Sequence, residues 1–476
     1  MNLDKIFSYV DVHQEEFIQV LKEWVSIKSV SASPELRDEC FRMVNIVSNE
    51  FKKIGCHTNI VDNPIAKQTL VDGSVIDLPP IIFASFGQDT SKKTVCIYGH
   101  IDVQPAEKSD GWDTEPFELV IDGDRMIGRG SSDDKGPVLG WLCVLKAFIG
   151  LGVTPGVNLK FVIECMEECG SEGLDELLKS ERNKFLADID YTCISDNYWL
   201  GTKKPCVTYG LRGIAYFFLE VSGPIRDLHS GVYGGTIYEP MTDLISLLNR
   251  LVDNRGNILI PKIYDKVRKC SQEELDLYAD LDFSPSCYAE DINCTEHNLI
   301  YKSKIDILTH RWRYPTLSIH GIEGAFSKQG AKTVIPSKVI GKFSIRIVPD
   351  MDVEDVKSYV DKYITDIAQE LNTPNKIRLC IGHSGPAWIA DINNPNFVSA
   401  SKATKRVYGV KPDMTREGGS IPITLTFQEI TEKSVLLLPM GRGDDGAHSQ
   451  NEKLNKSNFI NGIKLFAAYL SELSQQ

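Results

Sequence analysis

The stretch Lys93-Thr-Val-Cys-Ile-Tyr-Gly-His-Ile-Asp102 is a β-branched, apolar run that ends in a histidine and an aspartate. Such a run, apolar on both faces, predicts a fully buried strand of the kind found in parallel sheets. Similar segments alternate after it, with helices predicted at 136–149 and 175–185 and strands at 158–164 and 191–195. This alternation predicts an α/β domain with a central, mostly parallel sheet.

The pattern changes in the middle of the chain and then returns. Residues 1–207 and 386–476 belong to the α/β pattern, with further helices predicted at 10–24, 40–51 and 457–473 and a strand at 435–438. Residues 208–385 instead predict strands at 215–221, 317–321, 339–348 and 376–381, with helices at 241–252 and 353–371. That order, β-α-β-β-α-β, is typical of an inserted α+β ferredoxin-like domain. The stretch 261–313 is polar and irregular, and we predict no regular structure for it.

The composition excludes several classes of protein. The chain has 476 residues, 52 Lys+Arg against 65 Asp+Glu, and a net charge of −13. Such an acidic chain is a poor partner for nucleic acid or an anionic membrane. It contains no run of about 18 apolar residues and no basic, apolar leader at Met1, so we expect a cytosolic protein that does not cross a membrane. The twelve cysteines have no regular spacing and are expected to be reduced.

Potential metal ligands follow the predicted strands one after another. In open α/β sheets, ligands gather outside the carboxyl ends of the strands, so these side chains should meet in one place. Histidine mixed with carboxylate favours zinc or manganese. The candidates are His100, Asp102, Asp133, Glu167, Glu168, Asp196 and His448.

Each of these signals is weak alone, and the combination is what predicts chemistry. A Glu-Glu pair is usually solvated surface, and the glycines around Asp133 lack the spacing of a nucleotide-binding loop. Two metal ions about 3.5–4 Å apart need a bridging carboxylate, terminal ligands and a separate base. Glu167 and Glu168 are adjacent, so one could bind metal while the other faces water. This set predicts the hydrolysis of an amide.

Four motifs resemble those of the di-zinc aminoacylase/carboxypeptidase-like metallopeptidases, within them the branch of cytosolic non-specific dipeptidases (carnosine dipeptidases). The resemblance covers nearly the whole chain. The motifs are Gly99-His100-Ile-Asp102-Val-Gln-Pro, Gly128-Arg-Gly-Ser-Ser-Asp133-Asp134-Lys-Gly-Pro, Met166-Glu167-Glu168-Cys-Gly-Ser and Ile194-Ser-Asp196-Asn, followed by the late His448.

The resemblance implies a role for each candidate ligand. Asp133 would bridge two divalent metal ions, and a cis peptide bond would follow it. His100 and Asp196 would complete one metal site, and Glu168 and His448 the other. Glu167 would be the general base, and Asp102 would orient His100. An aspartate at 196, where related carboxypeptidases look to have glutamate, favours the dipeptidase side of the family.

The resemblance also implies that the insert is a lid and dimerisation domain of a metallopeptidase. His229, in Asp227-Leu-His-Ser-Gly231, would reach the partner subunit's site and stabilise the oxyanion, and Thr333 would cross with it. Arg346 and His383 would hold the substrate carboxylate. Glu417 and Ser420 are expected near the scissile bond or the free amine.

These expectations predict a homodimeric dinuclear metallodipeptidase that uses Zn²⁺ or Mn²⁺. Its substrates would be unblocked dipeptides, with Cys-Gly from glutathione breakdown among them. The first alternative is an N-acyl-amino-acid deacylase or carboxypeptidase with the same chemistry. The second is a metal-free scaffold that retains the fold, against which the complete ligand set and the intact Glu167 argue.

Overall fold

The structure is a computed structural model that describes residues 2–69 and 73–476. Met1 and residues 70–72, which fall inside the predicted segment 1–207, lie outside the described residues. The helices are α1 (Leu3–Val12), α2 (Gln14–Val25), α3 (Arg37–Ile54), α4 (Lys135–Gly150), α5 (Leu174–Glu181), α6 (Ser230–Tyr233), α7 (Pro240–Leu248), α8 (Gln272–Asp280), α9 (Pro285–Asp291), α10 (Lys304–Trp312), α11 (Val353–Leu371), α12 (Pro395–Tyr408), α13 (Pro422–Thr431) and α14 (Lys456–Leu473).

The strands and short 3-10 helices lie between these helices. The strands are β1 (His57–Val61), β2 (Lys67–Thr69), β3 (Val75–Asp77), β4 (Ile81–Phe86), β5 (Thr94–His100), β6 (Val120–Asp122), β7 (Arg125–Ile127), β8 (Asn158–Glu164), β9 (Tyr191–Ile194), β10 (Cys206–Leu211), β11 (Gly213–Ser222), β12 (Leu228–His229), β13 (Thr316–Glu323), β14 (Val334–Ile335), β15 (Lys338–Ile347), β16 (Lys376–Gly385), β17 (Trp388–Ile389), β18 (Asp413–Glu417), β19 (Ser434–Leu437) and β20 (Lys453–Asn455). The 3-10 helices are Pro34–Leu36, Lys108–Asp110, Glu167–Cys169 and Glu296–Asn298.

The large sheet has the strand order β1-β4-β8-β5-β9-β19-β10-β17, with β18 beside β10. Its four central strands, β8, β5, β9 and β19, are parallel to one another. The flanking pairs β1–β4, β4–β8, β19–β10 and β10–β17 are antiparallel. The predicted α/β fold and its parallel centre are therefore confirmed, and the sheet as a whole is mixed.

Burial explains why the centre of the sheet forms. Every residue of β5 is buried, as its unbroken apolar run predicts. Helix α4 is buried almost throughout, because it is apolar on all sides and packs against α14. The Trp141 ring of α4 stacks on Phe466 of α14, with ring centroids 4.0 Å apart. The predicted helix at 10–24 is wrong as a single element, since α1 and α2 meet at His13.

The inserted sheet has the order β13-β15-β11-β16, and all its pairs are antiparallel. Helices α7 and α11 pack against β11, whose residues alternate between buried and half-buried. The predicted ferredoxin-like arrangement is thus present. The domain limits 207/208 and 385/386 remain predictions. The large sheet continues through β10 to Leu211 and resumes at Trp388.

The stretch 261–313 is helical, which corrects the expectation that it has no regular structure. It contains α8, α9 and α10. Tyr278, Leu281, Leu308 and Trp312 form a buried apolar cluster that packs against Leu200 of the larger domain. The three helices have only 9, 7 and 9 residues, too few turns for a clear helical period in the sequence.

Two further features bear on the expectations from composition. All twelve cysteines are free thiols, and seven of them are buried, including Cys96 and Cys193 in the central strands. Buried free cysteine packs as a small apolar residue. Among residues 2–69 and 73–476, no helix has both the length and the hydropathy that crossing a membrane requires.

Candidate metal centre

The predicted ligands converge because the strands that carry them are neighbours. Strand β5 ends at His100, and β8 is followed by the 3-10 helix Glu167–Cys169. Asp196 follows β9, and the loop after β19 reaches His448. These four strands are the parallel centre of the sheet, so their carboxyl ends share one edge. Asp133 joins them from the loop directly before α4.

Two groups of three ligands share Asp133. In the first, His100 Nε2 lies 3.1 Å from Asp133 Oδ1 and 3.7 Å from Asp196 Oδ1. In the second, His448 Nε2 lies 3.1 Å from Asp133 Oδ2 and 3.1 Å from Glu168 Oε2. Within each group one ligand atom per residue lies within 4.8 Å of the others. The two oxygens of one carboxylate therefore face two separate sets of donors.

The electrostatics of the site fit divalent cations. Burial raises the pKa of Asp196 to about 6 and that of Glu167 well above its usual range. Hydrogen bonds to Asp133 and Glu168 raise the pKa of His448 to about 11. A cluster of buried carboxylates is costly unless cations neutralise it. Imidazole and carboxylate donors are suited to zinc and manganese, so the residues present fit such ions.

Asp102 contacts His100 and the backbone of both glutamates, and so positions these candidate ligands. Its Oδ1 accepts the backbone N–H of Glu167 at 3.2 Å, and its Oδ2 accepts that of Glu168 at 3.1 Å. The Ser31 hydroxyl donates to Oδ2 at 2.6 Å, and His100 Nδ1 lies 3.4 Å from Oδ1. One fully buried carboxylate thus contacts the histidine ring and fixes the turn that presents both glutamates.

Glu452 holds the loop that carries Asp133, a role that the sequence did not predict. Its Oε1 accepts the backbone N–H groups of Ser132 and Asp133, at 2.9 and 3.0 Å. Its Oε2 accepts the N–H of Gly130 at 2.9 Å and pairs with Arg129 Nη1 at 2.8 Å. These bonds hold the loop that carries Asp133, in which the Asp133–Asp134 peptide bond is cis as expected. The only signal in the sequence is that Glu452 follows His448 closely.

Glu167 belongs to neither ligand group. Its Oε2 lies 4.0 Å from His100 Nε2, and it lines an open cavity of about 800 Å³ together with Asp133, Asp196 and His448. A carboxyl group whose pKa is raised by burial, beside candidate metal ligands and facing a cavity, has the setting of a general acid or base.

Four substrate residues predicted from the sequence lie around this site. Glu417 and Ser420 line the same cavity, and Arg346 Nη1 donates to Ser420 Oγ at 2.8 Å. Burial, together with the charge of Arg346, lowers the pKa of His383. A Cβ placed on Gly170 would lie 3.5 Å from His383 Nδ1, so this ring sits against the turn of Glu167–Cys169.

His229 and Thr333 lie together but apart from the ligands. Strands β12 and β14 pair antiparallel, and the N–H of Ser230 donates to the Thr333 carbonyl at 3.2 Å. Both His229 and Thr333 are exposed, and neither lines the cavity that Asp133 and Glu167 share. Within one chain, the structure does not bring these two residues to the metal centre.

Comparison with known proteins agrees with this geometry. Residues 96–472 match the model of "Peptidase family M20/M25/M40". The chain is similar to the Cys-Gly metallodipeptidase of Schizosaccharomyces pombe, with 50% identity over 100% of the chain and 99% of the relative. It is 46% identical to the human Beta-Ala-His dipeptidase, over 99% of the chain and 93% of the relative.

A solved structure extends this similarity to the whole fold. The dipeptidase Dug1p of Saccharomyces cerevisiae superimposes with a TM-score of 0.95 at 51% identity, over 100% of the chain and 99% of that structure. Both the larger domain and the insert are therefore shared with a dipeptidase. The match to the family model spans well over half of the sequence and includes every candidate metal ligand. The chain belongs to peptidase family M20/M25/M40.

Proposed function

We propose that the protein is a homodimeric, dinuclear metallodipeptidase that hydrolyses the peptide bond of unblocked dipeptides. The observation that carries the proposal is the pair of ligand groups that share Asp133, with Glu167 beside them and in neither. Relatives named for Cys-Gly and Beta-Ala-His dipeptide hydrolysis support the substrate class. Cys-Gly is accordingly our first candidate substrate.

Two divalent ions, zinc or manganese, would be held by the residues of the two groups. His100 and Asp196 would hold one ion, Glu168 and His448 the other, and Asp133 both. When bound, such ions polarise a carbonyl and make water a stronger acid. The N–H bonds to Asp102 keep Glu168 directed at its group and leave the neighbouring Glu167 free to handle protons.

Glu167 would act as the general base and then as the general acid. Its carboxylate would take a proton from the attacking water and return it to the leaving amine of the second residue. Burial raises the pKa of this carboxyl group, which makes it a stronger base and a group able to hold the proton between the two steps.

Arg346 would bind the free carboxylate of the dipeptide in a bidentate manner. Its guanidinium is half-buried and already bonded to Ser420, which fixes its direction before substrate binds. His383 would add a hydrogen bond to the same carboxylate. Because the terminal carboxylate would be bound next to the metal centre, only one residue fits beyond the scissile bond. Tripeptides should therefore be poor substrates.

The remaining contacts would come from the partner subunit and from the loop at 417–420. His229 of the partner subunit would stabilise the oxyanion of the tetrahedral intermediate, and Thr333 would add its hydroxyl. Their exposure on the insert, away from the chain's own ligands, supports delivery to another copy. Glu417 would meet the substrate amine. The twelve free thiols support a reducing, cytosolic location.

The test is a dipeptide panel assayed after chelation and reloading with Zn²⁺ or Mn²⁺. Cys-Gly, Ala-Ala and β-Ala-His should be cleaved by the reloaded protein, and N-acetyl-alanine should be a poor substrate. Glu167→Gln should reduce kcat about a thousandfold, since loss of a general base costs 10²–10⁴. The matched control is Glu176→Gln, a change at an exposed residue of α5. Faster turnover of N-acetyl amino acids than of dipeptides would identify a deacylase instead.

A further inference from the structure

Helices α9 and α10 form a wall of the cavity that contains the metal ligands. Tyr288 and Asp291 of α9, Ile292 after it, and Arg311 of α10 all line the cavity that Asp133 and Glu167 share. None of these four residues belongs to the motifs that predicted the site. The helical segment whose structure the sequence did not predict is therefore part of the substrate's surroundings.

Arg311 is the only basic residue among these four. Two arginines line the cavity, Arg311 and Arg442. Arg442 pairs with Asp124 at 3.3 Å. The Arg311 guanidinium instead lies over the Tyr288 ring, 5.1 Å from its centroid, and within the described residues it forms no ion pair. A stacked guanidinium without a carboxylate partner is held in place and has its N–H donors available.

The position of Arg311 is fixed by its neighbours. The adjacent Trp312 is buried in the apolar cluster with Leu308. The next residue, Arg313, pairs through Nε with Glu274 Oε2 at 3.2 Å. On the other side, a Cβ placed on Gly418 would lie 3.1 Å from the Arg311 carbonyl oxygen. The end of α10 that carries Arg311 is thus in contact with the loop at 417–420.

The lining of the cavity indicates which end of a dipeptide Arg311 meets. Arg346 and His383, which we propose bind the terminal carboxylate, do not line this cavity. Ser420, which accepts from Arg346, and Glu417, which we propose meets the substrate amine, do line it. The cavity therefore runs from Glu167 past the proposed position of the substrate amine. If the scissile carbonyl lies at the metal centre and the amine at Glu417, the side chain of the first residue lies in this cavity, which Arg311 also lines.

Charge then determines what that side chain can be. Asp133, Asp196 and His448 of this lining would bind the metal ions, and Glu167 would be the general base. Apart from these, Arg311 and Arg442, the charged residues that line the cavity are acidic: Asp291, Glu417 and Asp444. An anionic side chain would be repelled there unless a cation faced it. We propose that Arg311 is a specificity residue that allows dipeptides with Asp or Glu as their first residue to bind. This inference rests on the proposed dipeptidase function.

The experiment compares isosteric substrates in the same metal-loaded protein. kcat/KM is measured for Glu-Ala and Gln-Ala in the wild type and in Arg311→Gln. The ratio of the two values should fall by about tenfold in the variant, equivalent to about 1.4 kcal/mol. Because both substrates are tested with one protein preparation, a general loss of activity cancels in the ratio.

Two further variants sharpen the comparison. Arg311→Lys keeps the positive charge and should retain more of the ratio than Arg311→Gln. Arg255→Gln, at an exposed turn of the insert, is the matched control and should leave the ratio unchanged. A ratio that is equal in the wild type and in Arg311→Gln would overturn the proposal, even if Ala-Ala is cleaved normally. Failure of the reloaded wild type to cleave Ala-Ala would overturn the dipeptidase function itself, and this inference with it.

Discussion

Glu452 Oε1 lies 3.0 Å from the backbone nitrogen of Asp133, although 319 positions separate the two residues. The Glu452 carboxylate is fully buried, with Arg129 as its cation. The loop that ends at Glu452 also carries His448. One carboxylate therefore connects the segment of Asp133 to the loop that carries His448.

Glu452→Gln should weaken both the fold and metal binding. The amide nitrogen would face N–H donors, and Arg129 would lose its buried partner. Breaking a buried pair of this kind costs about 3–5 kcal/mol. We expect a lower midpoint in urea unfolding of the apoprotein and a higher Kd for Zn²⁺ by calorimetry. Glu429→Gln, at an exposed glutamate of α13, serves as the control, and equal midpoints for the two variants would contradict the assignment.

Glu274 of α8 positions Arg416, the residue before the loop at 417–420. Its Oε1 lies 2.6 Å from Arg416 Nη2, and the Tyr278 hydroxyl donates to the same oxygen at 2.7 Å. Since Arg416 directly precedes Glu417, Glu274→Gln should raise KM for dipeptides by about tenfold, or about 1.4 kcal/mol, with a smaller effect on kcat. The neighbouring exposed Glu273→Gln should change neither. A fall in kcat alone would point away from loop positioning.

Removal of metal should destabilise the folded protein. Without cations, Asp133, Glu168 and Asp196 repel one another inside the protein. A ligand at 100 times its Kd stabilises the fold by about 2.7 kcal/mol for each site. A chelator should therefore lower the melting temperature, and Zn²⁺ or Mn²⁺ should restore it. An identical melting temperature with and without chelator, once metal analysis shows the ions to be removed, would argue against a structural contribution of the ions.

Mixing two inactive variants tests whether His229 acts across subunits. In a mixed dimer of Glu167→Gln and His229→Ala, the His229→Ala subunit keeps its own Glu167 and receives His229 from its partner. After full exchange, activity should recover to about a quarter of the wild-type value, because half the dimers are mixed and each contains one intact site. If His229 served the site of its own chain, mixing would restore nothing. Each variant remixed with itself is the control.

The convergence of the candidate metal ligands could be predicted from the sequence because these residues follow strands that are neighbours in the sheet. The buried run before His100 predicted a parallel sheet, and a parallel sheet brings His100, Glu168 and Asp196 to one edge. The ferredoxin-like insert was predictable for a similar reason. Its strands and long helices, such as α11 with the predicted bounds 353–371, show clear periods in the sequence.

Glu452 and Arg311 could not be predicted, because their roles depend on contacts distant in sequence. Glu452 accepts backbone N–H groups, and these leave no trace in side-chain patterns. Arg311 lies on a short helix whose start is marked only by the cap Ser303, which accepts the N–H of Asp306. Ser271 marks α8 in the same way, with Glu274 three residues later. These caps were the available signal for the missed helices.

The insert leaves and re-enters the large sheet at adjacent positions. Leu211 of β10 pairs with Trp388 of β17, and Gly210 pairs with Ile389. Everything between, including Arg311, is thus inserted into the chain between two neighbouring strands, and α8–α10 also contact the larger domain at Leu200 and Arg416. Inserts of different length or shape could be exchanged there without changing the order of the large sheet. The insert and the parallel strands that carry the candidate metal ligands could therefore diversify separately.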